Sequence, residues 1–201
     1  MRIILYIIWC ISIFLAACTD RQQLPVLSND AVIVAFGDSL THGYGVSNSD
    51  SYPAVLEKLT GRTVINAGVD GEESNQGLTR LPAVLDDYRP DLLILCHGGN
   101  DILRKKDMQA MENNLREMIQ IAAQQKIPVI MLGVPKPGIF LSSLPVYREI
   151  ADSTSVLLID DLIPDVLGDN KLKSDTVHPN KEGYRKIAEI IYETLKDSGA
   201  I

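Results

Sequence analysis

A serine, a histidine and an aspartate stand in this sequence where they could form a nucleophilic site. Ser39 follows an apolar run after a Gly37-Asp38 turn, and His178 has Asp175 three residues before it. A serine hydroxyl is a poor nucleophile until a neighbouring base takes its proton, and that base needs a partner that holds its tautomer. We therefore predict Ser39 as the nucleophile, His178 as the base and Asp175 as the residue that orients the imidazole ring.

Each of these residues also has a simpler structural interpretation. Serine is a common helix N-cap, which could be the only role of Ser39, and His178 could be a surface histidine before a proline. His42 and His97 are the alternative histidines, but only His178 has a carboxylate placed to orient it. We interpret His42 and His97 as structural residues or as neighbours of the reactive groups.

Glycine and asparagine residues that follow the predicted strands could bind an oxyanion. Acyl transfer needs hydrogen-bond donors that are already in place where negative charge develops on the carbonyl oxygen. The candidate donors are the backbone N–H groups of Ser39 and Gly71 and the side-chain amide of Asn100. Asn100 could instead be only a turn residue, while Asp38 and Asp101 are expected to brace loops rather than to react.

Five short apolar runs predict the strands that must position these residues. They are Ala31–Phe36, Thr63–Ala67, Leu92–Cys96, Val129–Gly133 and Val156–Ile159. Because the runs are continuously apolar rather than alternating, we expect parallel strands that are covered on both faces. Strands that alternate with helical patterns predict one doubly wound α/β domain, and ligands of such sheets bind beyond the carboxyl ends of the strands.

Two apolar stripes with helical spacing predict long helices that pack on this sheet. The first stripe consists of Met108, Met111, Leu115, Met118, Ile119 and Ala122. The second, near the C-terminus, consists of Tyr184, Ile187, Ala188, Ile191 and Leu195. Stripes of this kind are typical of a helix face that lies in the core, so we do not interpret the methionines as a binding surface.

Composition and charge argue against several other functions. The 201 residues carry a formal net charge of −7, whereas a nucleic-acid-binding protein needs a basic face. No group of histidines or cysteines has the spacing of metal ligands, and no phosphate-binding or dinucleotide-binding glycine pattern follows a strand. We therefore expect no nucleic-acid partner, no metal and no cofactor.

The start of the chain differs from the rest. Ile3–Ala17 is an apolar run after Arg2, shorter than the about 20 residues of a membrane span and typical of a secretory signal. Its end, Leu15-Ala16-Ala17-Cys18, resembles a bacterial lipobox. We predict a lipoprotein signal peptide over residues 1–17 and a lipid on Cys18; an uncleaved anchor helix or a chance cysteine is the alternative.

Residues 18–30 are predicted to tether the lipidated Cys18 to a domain over residues 31–201. The polar segment Thr19–Asp30, when extended, reaches about 40 Å. We expect an exported, membrane-anchored lipoprotein, placed in the outer membrane and facing the periplasm in a Gram-negative cell, because Thr19 rather than aspartate follows the cysteine. Cys96 is predicted to be a buried apolar residue without a disulfide partner.

Four sequence blocks together resemble the SGNH, or GDSL, hydrolase superfamily. They are Gly37-Asp38-Ser39-Leu40, then Gly71, then Gly98 with Asn100 and Asp101, and finally Asp175 with His178. The stretches Asn66–Arg80 and Leu132–Pro135 resemble the bacterial branch of thioesterase I, arylesterases and lysophospholipases. This resemblance implies a flavodoxin-like three-layer α/β/α sandwich around a five-stranded parallel sheet. It also implies hydrolysis of small-molecule esters or thioesters, without a cofactor, through an acyl-enzyme on Ser39.

The segment from Lys136 to Leu144 is predicted to shape the substrate site. It follows the fourth strand and contains Ile139, Phe140 and Leu141, which could form a wall for an acyl chain or aryl group, or could fill the core beneath the loop. Two other functions stay open, an O-acetyl esterase that acts on a carbohydrate or cell-wall polymer and a non-catalytic lipoprotein that binds a ligand. The few aromatic residues argue against a sugar site, and the filled catalytic positions argue against a non-catalytic protein.

Overall fold

Parallel strands alternate with helices along the whole described chain. The computed structural model describes residues 23–138, 141–154 and 156–201. The strands are β1 (Val32–Gly37), β2 (Thr63–Gly68), β3 (Leu92–Cys96), β4 (Val129–Leu132) and β5 (Leu157–Ile159). Each strand that the sequence predicts is confirmed, with ends that differ by one residue or none.

Helices cover both faces of the sheet and give a three-layer α/β/α sandwich. They are α1 (Ser39–His42), α2 (Tyr52–Thr60), α3 (Ser74–Tyr88), α4 (Gly99–Leu103), α5 (Met108–Gln124), α6 (Pro145–Thr154), α7 (Leu162–Gly168) and α8 (Lys181–Asp197). Helices α2 and α7 pack against α8, whereas α3 and α6 pack against α5. Both predicted stripes are buried in α5 and α8, except that Met108, the first residue of α5, is 38% exposed.

The order of the strands creates a switch point at β1, where the chain changes the direction in which it adds strands to the sheet. The order is β2-β1-β3-β4-β5, and all neighbours are parallel. The chain passes from β1 to β2 on one side and then crosses to β3 on the other side of β1. Gly37 at the end of β1 pairs with both Gly68 of β2 and Cys96 of β3. The residues that follow these strands therefore meet at the position where doubly wound sheets bind ligands.

Burial differs between the central and the edge strands, which corrects one expectation. Strands β3 and β4 are fully buried and β1 nearly so, but β2 exposes Thr63 and Asn66, and β5 is only partly buried throughout. The sequence predicts five strands covered on both faces. That prediction is wrong for β2 and β5, because each lies at an edge where the helical layers end.

Residues 23–30, the larger part of the segment predicted as a tether, lie against the domain. The backbone N–H groups of Leu24 and Leu27 donate to the carbonyls of Ser198 (3.1 Å) and Ala200 (2.8 Å). Leu27 is 5% exposed, and the Arg62 guanidinium donates to its carbonyl at 3.0 Å. Residues 23–30 are therefore part of the folded unit rather than a free spacer, because their leucines bury apolar surface.

The predicted signal peptide (residues 1–17) and the predicted lipidation site Cys18 lie outside the described residues. Within residues 23–138, 141–154 and 156–201, no helix has the length and apolar character that a membrane crossing requires. Cys96 is fully buried at the end of β3, as predicted, and burial raises the pKa of its thiol well above the usual value.

Candidate active site

A strand-to-helix turn presents Ser39 at the carboxyl end of β1. Asp38 is the N-cap of α1, and its Oδ1 accepts a hydrogen bond from the backbone N–H of Leu40 at 3.0 Å. Ser39 is thus the first residue of α1, and its interpretation as an N-cap is wrong because Asp38 has that role. A Cβ on Gly37 would lie 2.1 Å from the Cys96 carbonyl oxygen, so only glycine allows this close turn beside β3.

The structure brings the three predicted reactive side chains into one hydrogen-bonded series. The Ser39 Oγ lies 3.0 Å from Nε2 of His178, and Nδ1 of the same ring lies 2.8 Å from Oδ2 of Asp175. In the neutral tautomer that carries its hydrogen on Nδ1, the ring donates to Asp175 and accepts from the serine hydroxyl. This is the arrangement in which a histidine can take a proton from serine.

The loop before α8 holds Asp175 by local hydrogen bonds. Oδ1 of Asp175 accepts from the backbone N–H groups of Val177 (2.8 Å) and His178 (2.9 Å), and the Ser174 N–H donates to the His178 carbonyl (2.9 Å). Partial burial raises the pKa of Asp175, but the hydrogen bonds from Val177 and His178 outweigh it and the net pKa is lowered. Asp175 is therefore ionised and accepts from three donors.

Tyr44 contacts the imidazole ring of His178, and the sequence prediction missed it. The two ring centroids are 4.4 Å apart and the planes are inclined by 33°. The chain returns to the site because Gly43 and Gly45 both have left-handed backbone angles, with φ of 93° and 84°. Two glycines around an aromatic residue, only a few positions after Ser39, are the signal that could have indicated this contact.

The predicted oxyanion donors lie beside Ser39 but differ in their surroundings. Gly71, with φ of 73°, and Asn100, in α4, line the same cavity as Ser39. The Asn100 Nδ2 donates to the backbone carbonyl of Glu72 at 3.0 Å, and it lies 3.4 Å from Oδ2 of Asp38. The amide group is therefore held in one orientation at the cavity wall.

A buried ionic network lies behind Asn100. The Glu72 carboxylate accepts from Nε and Nη2 of Arg80 at 2.8 and 2.7 Å, and it lies 3.1 Å from Nε2 of His97. The Gly98 N–H donates to Nδ1 of His97 at 3.0 Å, so Nε2 carries the hydrogen that Glu72 accepts. Burial raises the pKa of Glu72, but the hydrogen bonds from Arg80 and His97 and the positive charge of Arg80 lower it to about 2.

The other polar candidates have structural contacts. His97 is 1% exposed and does not line the cavity, in agreement with a structural role, and His42 lies on the surface with Nε2 3.8 Å from Oδ2 of Asp70. Asp101 accepts from the N–H and hydroxyl of Ser74 at 2.8 and 2.7 Å and so braces the start of α3. Asp38 is buried, which raises the pKa of its carboxyl.

A cavity of about 280 Å³ opens in front of Ser39, and its wall is largely apolar. The apolar residues that line it are Leu40, Leu103, Val134, Pro135, Pro137, Leu141, Leu167 and Val177. Leu141, predicted as a substrate contact, is among them and also packs against the core. Ile139 and Phe140, predicted with it, lie outside the described residues.

Comparison with known proteins identifies the class of this site. The model of the GDSL-like lipase/acylhydrolase family matches residues 35–186. The chain is 30% identical over 172 residues to thioesterase 1/protease 1/lysophospholipase L1 of Escherichia coli K12, covering 82% of this chain and 83% of that protein. It is 30% identical over 202 residues to an arylesterase of Vibrio mimicus, covering 95% of each.

A solved structure agrees with these sequence matches. The crystal structure of TesA superposes with a TM-score of 0.75 at 28% identity, covering 83% of this chain and 99% of that one. The chain belongs to the GDSL-like lipase/acylhydrolase family. It is accordingly a hydrolase of the GDSL esterase type.

Proposed function

We propose that this protein hydrolyses carboxylic esters or thioesters of apolar acyl or aryl groups through an acyl-enzyme on Ser39. The observation that carries the proposal is the continuous series from Ser39 through His178 to Asp175 at the mouth of an apolar cavity. A serine becomes nucleophilic when such a base takes its proton. The apolar wall suits an acyl chain or an aromatic ring better than a sugar.

The proposed reaction has two transfer steps. The Ser39 Oγ attacks the acyl carbonyl while His178 Nε2 takes the hydroxyl proton, and collapse of the tetrahedral intermediate breaks the bond to the leaving alcohol or thiol, which receives that proton. Water then attacks the acyl-enzyme with His178 again as the base, and the acid leaves while Ser39 recovers its proton. Asp175 stays ionised throughout, in keeping with its lowered pKa.

The negative charge of each tetrahedral intermediate needs preorganised donors. The N–H groups of Ser39 and Gly71 and the amide of Asn100 are proposed to bind the oxyanion, because all three residues line the cavity in front of the hydroxyl. One amide hydrogen of Asn100 keeps the group in place through the Glu72 carbonyl, and the other, for which the only acceptor among the described residues is Oδ2 of Asp38 at a long 3.4 Å, is proposed to donate to the oxyanion. Such donors are effective because they need no reorganisation when the charge develops.

Covalent labelling tests the nucleophile directly. A p-nitrophenyl alkylphosphonate should modify Ser39 and no other serine, and Ser39→Ala should retain its fold while kcat falls by about 10³-fold or more. Ser49→Ala, which changes an exposed serine of the same region, is the matched control and should remain active. A wild-type chain that hydrolyses no ester, acyl-CoA or lysophospholipid would instead support the non-catalytic alternative.

An O-acetyl esterase is the second candidate function. The chain is 27% identical to an acetylxylan esterase of Xylanibacter ruminicola, although it covers only 45% of that protein. A series of p-nitrophenyl esters from acetate to decanoate separates the two candidates. On the first proposal kcat/KM rises with chain length, and Leu141→Ala lowers it for the longer esters only, since each buried methylene contributes about 0.8 kcal/mol. A preference for acetate, unaffected by Leu141→Ala, supports the acetyl esterase.

We also propose that the enzyme is exported and anchored by a lipid on Cys18. The support is the apolar run Ile3–Ala17, which ends at the lipobox-like Leu15-Ala16-Ala17-Cys18. Bacterial lipoproteins carry several acyl chains, and several chains bind a membrane firmly where one does not. Cys18→Ser should abolish labelling by radioactive palmitate and release the enzyme from the membrane fraction, whereas Cys10→Ser should do neither. Activity confined to the cytoplasm contradicts export.

A further inference from the structure

A second cavity adjoins the one in front of Ser39. Its volume is about 430 Å³, and Leu103 and Pro137 belong to the walls of both cavities. Its other apolar wall residues are Ile102, Met108 and Leu144. Leu103 and Met108 are 46% and 38% exposed, so apolar surface continues from the reactive serine outward across this region.

Three lysines line this second cavity, and none of its described wall residues is a carboxylate. They are Lys105, Lys106 and Lys136, and Arg104 stands beside them in sequence. Glu73 accepts from Arg104 at 2.6 Å and from Lys106 at 3.1 Å. Lys105 and Lys136 form no ion pair with any residue that the structure describes. The second cavity therefore has a local excess of positive charge, although the net charge of the whole chain is −7.

A third cavity, on another side of the site, is lined by more negative than positive side chains. It shares Leu141 and Leu167 with the cavity in front of Ser39, and Asp165, Asp169 and Lys173 line it. Of these two neighbouring cavities, only the one that shares Leu103 and Pro137 with the cavity in front of Ser39 has an excess of positive charge. A substrate that is apolar along its length and negative at one end is attracted by the cavity that the three lysines line. It is repelled by the cavity that Asp165 and Asp169 line.

We infer that the cavity lined by Lys105, Lys106 and Lys136 binds an anionic group of the substrate, a carboxylate or a phosphate, several bonds away from the scissile carbonyl. The inference rests on the proposed ester hydrolysis at Ser39 and narrows its substrate class to anionic amphiphiles. The apolar walls bind the chain that joins the two ends. The charge can belong either to the acyl part or to the leaving group, because both extend from the carbonyl.

Matched substrates separate these two sources of charge. On the acyl side, mono-p-nitrophenyl suberate is compared with p-nitrophenyl octanoate, which has the same chain length without the carboxylate. On the leaving-group side, octanoyl-CoA is compared with octanoyl-N-acetylcysteamine, a thioester that lacks the phosphates. We expect the anionic member of at least one pair to have a kcat/KM about tenfold higher at low salt, and the excess to disappear near 1 M salt, where screening extends over about 3 Å.

The variant for this test is the double substitution Lys105→Gln and Lys136→Gln, since these lysines form no ion pair with a described residue whose loss would disturb the fold. The matched control is Lys171→Gln with Lys186→Gln, which removes the same charge from exposed positions outside this cavity. We expect the first variant to lose the preference for the anionic substrate and to keep its rate on p-nitrophenyl octanoate, and the control to keep both.

Three results would overturn the inference. They are equal rates within both substrate pairs, a preference that persists in the Lys105→Gln and Lys136→Gln variant, and a preference that the control variant loses equally. Binding to phosphatidylglycerol vesicles that depends on Lys105 and Lys136, with no effect on soluble substrates, would assign the lysines to a lipid surface instead. Failure of ester hydrolysis itself is recognised separately, because p-nitrophenyl octanoate would then not be hydrolysed.

Discussion

Asp175 and Glu72 are both carboxylates that bind a histidine near the reactive serine, but they lie in very different surroundings. The Asp175 side chain is 48% exposed, and its hydrogen bonds come from its own loop. The Glu72 side chain is 6% exposed, and its partners Arg80 and His97 come from α3 and from the end of β3. One carboxylate is held by neighbours in sequence and the other by the packing of separate elements.

This difference separates activity from stability. An exposed carboxylate that local N–H groups hold can lose its charge without leaving a buried group unpaired. A buried carboxylate that neutralises Arg80 cannot, because its removal leaves the partly buried charge of Arg80 uncompensated. Substitution of Asp175 should therefore lower the rate with little loss of stability, whereas substitution of Glu72 should lower the stability. The following predictions test this distinction in order of decreasing effect.

Asp175→Asn should have the largest effect on rate and a small effect on stability. The amide cannot hold His178 in the tautomer that accepts the serine proton, so we expect kcat to fall by about 10³-fold or more. The melting temperature should stay near that of the wild type. Steady-state kinetics and thermal denaturation measure the two quantities, with Asp152→Asn, an exposed aspartate of α6, as the control. An unchanged kcat would remove Asp175 from the site.

Asn100→Ala should reduce kcat by about 10² to 10³-fold with little change in KM, because a preorganised donor acts mainly on the transition state. Asn113→Ala, on the exposed face of α5, controls for loss of an asparagine side chain. A rise in KM alone would instead make Asn100 a residue that binds the ground state of the substrate.

Glu72→Gln should lower stability strongly and so sharpen the contrast with Asp175. Glu72 has a pKa of about 2 in the folded protein and an ordinary value of 4.5, a difference that corresponds to about 3 kcal/mol of free energy of unfolding. Because the folded pKa is the lower one, this contribution is fully present above pH 4.5 and is lost as the pH falls towards 2.

Urea denaturation at a series of pH values measures this contribution. Wild type should lose stability between pH 4.5 and 2, whereas Glu72→Gln should be less stable at neutral pH and change less over that range. Glu117→Gln, an exposed glutamate of α5, should follow the wild type. If Glu72→Gln kept the wild-type stability at pH 7, the proposed distinction between the two carboxylates would be wrong.

Tyr44→Leu should have the smallest effect and tests whether local packing also orients the base. An aromatic contact of this kind contributes about 0.5 to 1.5 kcal/mol, so kcat should fall by about threefold to tenfold without loss of stability. Tyr88→Leu is the control, because Tyr88 has a similar exposure, 45% against 48%, at the end of α3. Equal rates for the two variants would show that Asp175 alone positions the ring.

The sequence by itself was enough to predict the proposed reactive residues and the elements that carry them, although it missed Tyr44. Asp175 and His178 are recognisable because their three-residue spacing permits a hydrogen bond within one turn. Apolar runs and helical stripes indicate strands and helices for a similar reason, since each pattern is complete within a few consecutive residues. Ser39 is recognisable by its place after the first strand and by the blocks that resemble a known family.

Only the tertiary structure decided which distant residues meet. Glu72 and His97 are 25 residues apart, and their contact depends on how the loop before α3 meets the residue that follows β3. The partial burial of β2 and β5 depends on strand order, and the packing of Leu27 on the domain depends on the position of Ala200 after α8. Such contacts are properties of the topology, because the free energy that each residue gains comes from partners that its own neighbourhood in the sequence does not contain.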